Sequence, residues 1–486
     1  MMRMSKIIST RQHPVKILSY TTKSFWLILI PLARDLFASR FTLSQWLYGS
    51  WLSILTVIAI FAFALARWLT VTYSIEDNCI ISRSGFFGIL ESKISYQRLS
   101  CVSARQGPVL RIFRASTVYL ATAGNDKAVK LTMSKRSTER LFSHILSETP
   151  PSTRYRFVPG NIRLAIFSLL FSSSLSGIII LVTALTQAKR VLGNQPEKLL
   201  TSSIYKLSEQ ARRILGGIPP VLTAVVSAVI LLKSISFITN LFRHLNFSIT
   251  RLGEKLYVES GFVSRRMHIL SRENIVFCDI HQSLIMKLSG LCSIRIFCNG
   301  YGRKNKELGV LVPITSKERI KSSVKLLLPQ MKSVKRQLSP PKGSVMSFVL
   351  LPLLLCVGVA LAAVALRYLQ PAFFEVTLWL FVVPGYAAIR FLIVRIVSLF
   401  TSGIGQDSPL FRLDYCKGFS FHTVIVPSEK ISGISLRQSP LQKISGKCTL
   451  YVTMCSPTNR KHKLSGMYLD DVLTILRRGF VNSDRI

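Results

Sequence analysis

Three times in 486 residues the chain writes nearly the same phrase: RQGPVLRIF (Arg105–Phe113), HQSLIMKLS (His281–Ser289) and RQSPLQKIS (Arg437–Ser445). Aligned on Gln106, Gln282 and Gln438, a base follows five residues later (Arg111, Lys287, Lys443), then an aliphatic (Ile112, Leu288, Ile444). Apolar residues stand four, seven and twelve positions before each glutamine: Val102, Cys278 and Ile434; Leu99, Ile275 and Ile431; Ile94, Leu270 and Val426. Further upstream comes a glycine followed by phenylalanine, Gly85, Gly261 and Gly418, at 21, 21 and 20 residues from the glutamine. So many aligned positions in three copies mark an internal repeat, and a repeat fixes the fold before any other signal does.

The repeat unit reads as strand. CIISRSGFFG, KLYVESGFVS and CKGFSFHTVIV alternate and are rich in β-branched and aromatic residues. The glycine between two short runs supplies the positive φ of a tight hairpin. More strands follow the phrase (STVYLATA, CSIRIFCN, CTLYVTMC), and each unit closes on a helical pattern: SKRSTERLFSHIL, ERIKSSVKLLL and YLDDVLTILRR. Thr315-Ser316-Lys317-Glu318 reads as a capping box opening the second of these helices. Six or seven antiparallel strands plus one helix make a small sandwich or open barrel with a helix at one end.

Between the repeats lie apolar runs near the length of about 20 residues that crosses hydrocarbon. They are Trp46–Ala66, Leu164–Leu185, Ile218–Phe242, Val345–Leu366 and Phe373–Ile389, with a shorter one, Phe25–Ala38, interrupted by Arg34 and Asp35. Two runs separate each pair of repeats, so all three polar regions return to one face of a membrane. Lys and Arg total 63 against 22 acids, a formal charge of +41, on a chain of mean hydropathy +0.38. High hydropathy with high positive charge describes an integral membrane protein whose water-facing parts meet something anionic, lipid headgroups being the nearest candidate, and the basic segments near the spans are expected on the cytoplasmic side. The basic loop 186–217, on the opposite side, cuts against the simplest form of that rule. No tract of bases interleaved with aromatics points to nucleic acid. Nine scattered cysteines, none in a C-x-x-C pair, read as reduced core thiols rather than a disulfide frame or zinc site.

The domain plan is a basic N-terminus and first helix pair (1–69), a first β-rich domain (70–150), a second helix pair with its loop (160–242), a second domain (243–335), a third pair (343–400) and a short third domain (405–486). Together the strand order, the hairpin glycine and the mid-domain Q-x-P/L-φ-x-K/R turn resemble the bacterial pleckstrin-homology-like (PH-like), or membrane-flanked, domain. The resemblance implies a membrane α + β protein: paired transmembrane helices alternating with three PH-like β-barrel or sandwich domains, each closed by a C-terminal helix. It further implies a scaffold that binds proteins or lipid headgroups beside the bilayer, with a smaller single-domain membrane protein as a partner. A role in envelope export, resistance or transport is the other reading.

No enzyme signature is present: no P-loop, no G-x-S-x-G, no H-E-x-x-H and no paired carboxylates. No cofactor or metal is expected. The repeated glutamine and glycine are expected to be architectural, the amide bonding backbone groups freed where a strand breaks. Arg111, Lys287 and Lys443 are either strand-edge charges or headgroup contacts, and Arg303, Lys304 and Lys306, in a hairpin loop, are either lipid contacts or a solvated turn. Lys233 and Glu375 lie within spans, where ionisable groups are functional by default, yet each is close enough to an interface to snorkel. His281 has no histidine counterpart in the other copies, which hold Arg105 and Arg437.

Overall fold

A computed structural model describes residues 10–21, 43–84, 90–122, 128–147, 154–170, 220–298, 301, 309–369, 374–456 and 460–480, with isolated positions between 186 and 210. Phe25–Ala38, most of Leu164–Leu185 and the loop after it, Gly85, and Arg303, Lys304 and Lys306 lie outside the described residues.

The chain forms two compact units: Met1–Arg154 with Leu252–Ser271, and Tyr155–Arg251 with Arg272–Ile486. In the first, β1 (Thr10–Arg11), β2 (Thr72–Ile75), β3 (Cys79–Ser84) and β4 (Leu90–Ser95) form one antiparallel sheet in that order. β2 follows the apolar helix α2 (Leu43–Thr70) almost directly, and a short α1 (Lys16–Tyr20) precedes it. The N-terminal segment is fastened to the repeat: the Trp68 indole donates to Gln12 O at 2.8 Å, and Gln12 Oε1 accepts from Thr132 N at 3.1 Å.

The phrase itself joins β5 (Leu99–Gln106) to a five-residue helix, α3 (Pro108–Ile112), before β6 (Ala115–Thr122), β7 (Val129–Ser134) and the amphipathic α4 (Lys135–Ser147). Proline at the first helical position suits α3, since its missing N–H has no intrahelical partner to lose. The expected turn is therefore a short helix. Within this unit the second sheet does not stop at β5. A hairpin from the second repeat, β10 (Lys255–Ser260) and β11 (Arg265–Ser271), extends it in the order β7-β6-β5-β11-β10. Val102, Ala104, Val118, Leu131, Leu141, Met267 and Ile269 fill one core, so the core of the first repeat is completed by residues of the second.

The second unit begins with β8 (Arg154–Phe157), helices α5 (Asn161–Leu170) and α6 (Pro220–His244), and β9 (Ser248–Leu252), which neighbours β8. It then repeats the plan: β12 (Ile275–Ser283), α7 (Leu284–Leu288), β13 (Leu291–Cys298), β14 (Gly309–Ser316) and α8 (Ile320–Leu327). The proposed capping box is not formed. Thr315 and Ser316 finish β14, and α8 starts after Arg319 with no side-chain cap, because pairing with β13 holds those residues extended.

Two long helices follow, α9 (Val345–Leu369) and α10 (Phe374–Thr401), which pack together. α10 runs twelve residues past the expected end at Ile389, carrying Arg390 and Arg395 in its final turns. The third repeat comprises β15 (Gly403–Asp407), β16 (Leu410–Lys417), β17 (Ser420–Pro427), β18 (Ile431–Arg437), α11 (Pro440–Ile444), β19 (Lys447–Met454), β20 (Lys461–Tyr468) and α12 (Leu469–Phe480). Its hairpin β16–β17 pairs through β17 with β12, giving the sheet β14-β13-β12-β17-β16-β15, while β18-β19-β20 form a separate sheet. Four described helices are long and apolar enough to cross a membrane: Trp51–Thr70, Val226–His244, Lys342–Leu369 and Pro384–Thr401. This is a membrane protein built from apolar helices and several β-sheets.

The two inter-repeat strand pairs share one register. Gln106 lies opposite Arg265 and Gln282 opposite Phe421, each partner five residues before the aligned apolar position, Leu270 or Val426. Identical side-chain alternation on both strands leaves one register that buries the correct face.

Candidate functional site

Gln282 Nε2 donates to Leu291 O and Gln438 Nε2 to Lys447 O, both at 2.8 Å and both spanning nine residues. Gln106 is buried at the same position. Each short helix then ends on a residue of positive φ, eight positions after the glutamine: Arg114, Gly290 and Gly446. That signal was readable as glycine in two copies, and Arg114 hid it in the first. Gly261 and Gly418 take positive φ in their hairpins.

The repeated base divides by copy. Arg111 donates to the carbonyl oxygen of Phe262 at 3.2 Å, and Lys287 Nζ stands 3.8 Å from the centroid of the Phe421 ring. In both cases the base reaches the hairpin of the following repeat. Partial burial lowers Lys287 to about 8. Lys443 is exposed. Lys233 is exposed on α6, and Glu375 lies in the first turn of α10.

Behind the β12–β17 pair lies a polar network that no motif announced. Asp279, almost fully buried, accepts from His422 Nδ1 at 2.9 Å. The Tyr415 ring stacks on His422 at 5.2 Å, and its hydroxyl lies 2.7 Å from His462 Nδ1. His281 packs edgewise on His422 at 5.1 Å, with Arg295 Nη2 3.4 Å from its Nδ1. Burial by itself would raise the Asp279 carboxyl, but His422, with His281 and Arg295 behind it, holds it below its ordinary value. Burial lowers His281 to about 3 and His462 to about 4. Burial also pushes the Tyr415 phenol far up. In the first unit the corresponding contact is neutral: Ser103 Oγ lies 2.7 Å from His268 Nδ1.

Tyr415 also forms one wall of a cavity of about 380 Å³ at the foot of the α9–α10 pair. Phe348 and Leu351 come from the first turns of α9, and Arg395, Ser398 and Ser402 from the end of α10 and just beyond. The end of β16 gives Lys417, and β20 gives Lys461 and Lys463. Four cations line the cavity, and no acid does. Ser398 and Ser402 hydroxyls are 3.0 Å apart. Burial raises the Cys416 thiol against the pull of nearby Arg395, so the sulfur stays protonated and unreactive. The lining thus combines apolar side chains of α9 with four cationic side chains and serine hydroxyls. Neither Lys417 nor Lys461 and Lys463 stood out in the sequence, because they belong to segments far apart in the chain.

The family profile described as Bacterial PH domain matches residues 26–149 and 210–342, together more than half of the chain. The chain belongs to that family, and the two matched segments are copies of one domain, as the repeat requires. Among curated proteins it is similar to the UPF0699 transmembrane protein YdbT of Bacillus subtilis (strain 168), at 23% identity over 308 residues. That similarity covers 58% of this chain and 61% of the relative, so the chain spans about three fifths of the protein it resembles. No solved structure matches.

Proposed function

We propose that this is a non-enzymatic, multi-pass scaffold of a bacterial plasma membrane, presenting three PH-like modules on the cytoplasmic side to anionic lipid headgroups. The cationic cavity beneath α9 and α10 is the observation that carries this reading: four bases and no acid at the point where membrane helices meet strands. The third module, beyond the matched segments, keeps the six strands, the closing helix and the glutamine contact of the second. The pairing of Thr10 and Arg11 with β2 supports an even number of crossings before the first module. A smaller membrane protein with one such module is the partner expected of a scaffold of this kind.

The reading is tested on the full chain in nanodiscs. Titration with phosphatidylglycerol, followed by native mass spectrometry of retained lipid, is expected to show tight retention that phosphatidylcholine does not compete away. Replacing Lys461 and Lys463 together by Gln should weaken retention about thirtyfold, near 1 kcal/mol for each lost charge. Equal retention by both proteins would refute the cavity as the headgroup site.

A further inference from the structure

The repeated phrase builds the same outward-facing device in every copy. In α3, α7 and α11 the third and sixth residues after the glutamine are Val109 and Ile112, Ile285 and Leu288, and Leu441 and Ile444, all exposed. The outer member of each pair is among the most exposed aliphatics of the chain: Ile112 at 78%, Leu288 at 82% and Ile444 at 86%. Spacing i, i+3 sets the two side chains on one face of a helical turn. The repeated base (Arg111, Lys287, Lys443) stands immediately before the outer aliphatic. A single exposed leucine is ordinary; the same pair at the same register in three copies is not scatter.

Within the second unit these tips lie close to where membrane helices begin. Lys447 Nζ donates to Gly343 O at 2.7 Å, and Ser344 Oγ donates to Gly466 O at 2.6 Å, just before α9 starts at Val345. Ile444 precedes Lys447 by three residues, so the α11 tip leads directly into the strand that is tied to the helix entrance. The α7 tip is tied through Lys287 to Phe421, next to the turn whose Phe419 ring packs edgewise on Phe391 of α10 at 5.7 Å.

We propose that these three short helices are membrane-inserting tips, which dip their aliphatic pairs into the headgroup–acyl boundary of an anionic leaflet, with the exposed Lys443 meeting lipid phosphate beside the third pair. The occupant of the exposed face is the bilayer in which the chain is already anchored. Closeness to the helix entrances and the base beside each pair argue for it over a protein partner. Interfacial insertion of this kind reaches about 5–10 Å below the phosphates. The inference rests on the reading that the modules lie against the leaflet and deepens it by naming the inserting elements.

The test places a fluorophore on the full chain in phosphatidylglycerol nanodiscs. In a Cys455→Ser background, which removes the exposed native thiol, Ile112→Cys, Leu288→Cys and Ile444→Cys are labelled one at a time with an environment-sensitive dye. Lipids brominated near the top of the acyl chain should quench the emission about twofold at two or three of the sites, as insertion to that depth requires. Quenching at one site or none overturns the proposal, as does a blue-shifted emission without quenching, which would mean that protein covers the tips. The Lys461→Gln, Lys463→Gln protein separates this from the headgroup site. If it still retains phosphatidylglycerol while its tips are quenched, the cavity assignment fails and the tips stand.

Discussion

β12 and β18 occupy the same place in consecutive repeats, and their surroundings could hardly differ more. Both end within one residue of the glutamine, both have its 2.8 Å bond to a carbonyl nine residues onward, and both lead into a five-residue helix. Yet β12 is buried along most of its length and carries β17 on its open edge, whereas β18 is the outermost strand of its sheet and mostly exposed. Asp279 and Ser435 stand three residues before their glutamines. One is locked into a histidine network, and the other faces water. The phrase therefore encodes a local device, and a strand from the next repeat decides what the device holds. The outward residues of β18 are Gly433, Ser435 and Arg437, small or polar. In the first unit the edge strand β4 likewise turns Glu91 and Lys93 outward, a charged guard against unwanted strand pairing.

The sharpest way to break this comparison is Asp279→Ala against Ser435→Ala. Removing the buried carboxylate strands His422 and its neighbours and should cost about 3 kcal/mol. The aligned serine should change stability by less than about 0.5 kcal/mol. Hydrogen exchange in the full chain measures both, in β12 and β17 peptides for the first and in β18 and β19 peptides for the second, and equal effects would show that the two strands are not differently used.

Protons should draw a related contrast between the two units. His281 and His462 are held neutral, at about 3 and 4, against 6.5 when unfolded. Below pH 6.5 the unfolded chain takes up protons that the folded network refuses, so stability falls with pH down to those values. Asp279, lowered from an ordinary value of 3.8, adds its own loss only at still lower pH. The first unit has one such deeply buried histidine, His268, at about 3, besides the half-buried His13. Between pH 6.5 and 5.5 the second unit should lose about 2 kcal/mol and the first about 1, taking roughly 1 kcal/mol per buried histidine. Exchange free energies, corrected for intrinsic rate, would sharpen the comparison or, if the slopes are equal, remove it.

The smallest effect tests sameness. Gly290 and Gly446 close the two helices with φ of +64° and +62°, so Gly290→Ala and Gly446→Ala should each cost about 1 kcal/mol. A difference beyond about 0.5 kcal/mol in local exchange would mean that the neighbouring strand reaches even the helix end.

Much of this was legible in one dimension. Period-two alternation, a glycine before phenylalanine and an amphipathic closing segment are local, and local patterns survive in a single sequence. Strand sharing was not legible, because nothing in LSCVSARQ says whether its open edge will meet water or RRMHILS. The misread capping box at Thr315 has the same origin: a good helix start was overruled by a strand partner already in place. The cavity was hidden for a related reason, its bases lying on β20, the end of β16 and the end of α10, none adjacent in the chain.

The sequence alone determined the threefold unit, its hairpin, its helix and the apolar segments, since each depends on residues within a few turns or strands of one another. Only the tertiary structure decided which edges pair, where a buried carboxylate finds its histidine, and which bases gather beneath the membrane helices. Those outcomes depend on backbone groups and side chains brought together across a hundred residues or more, and no local period records that distance.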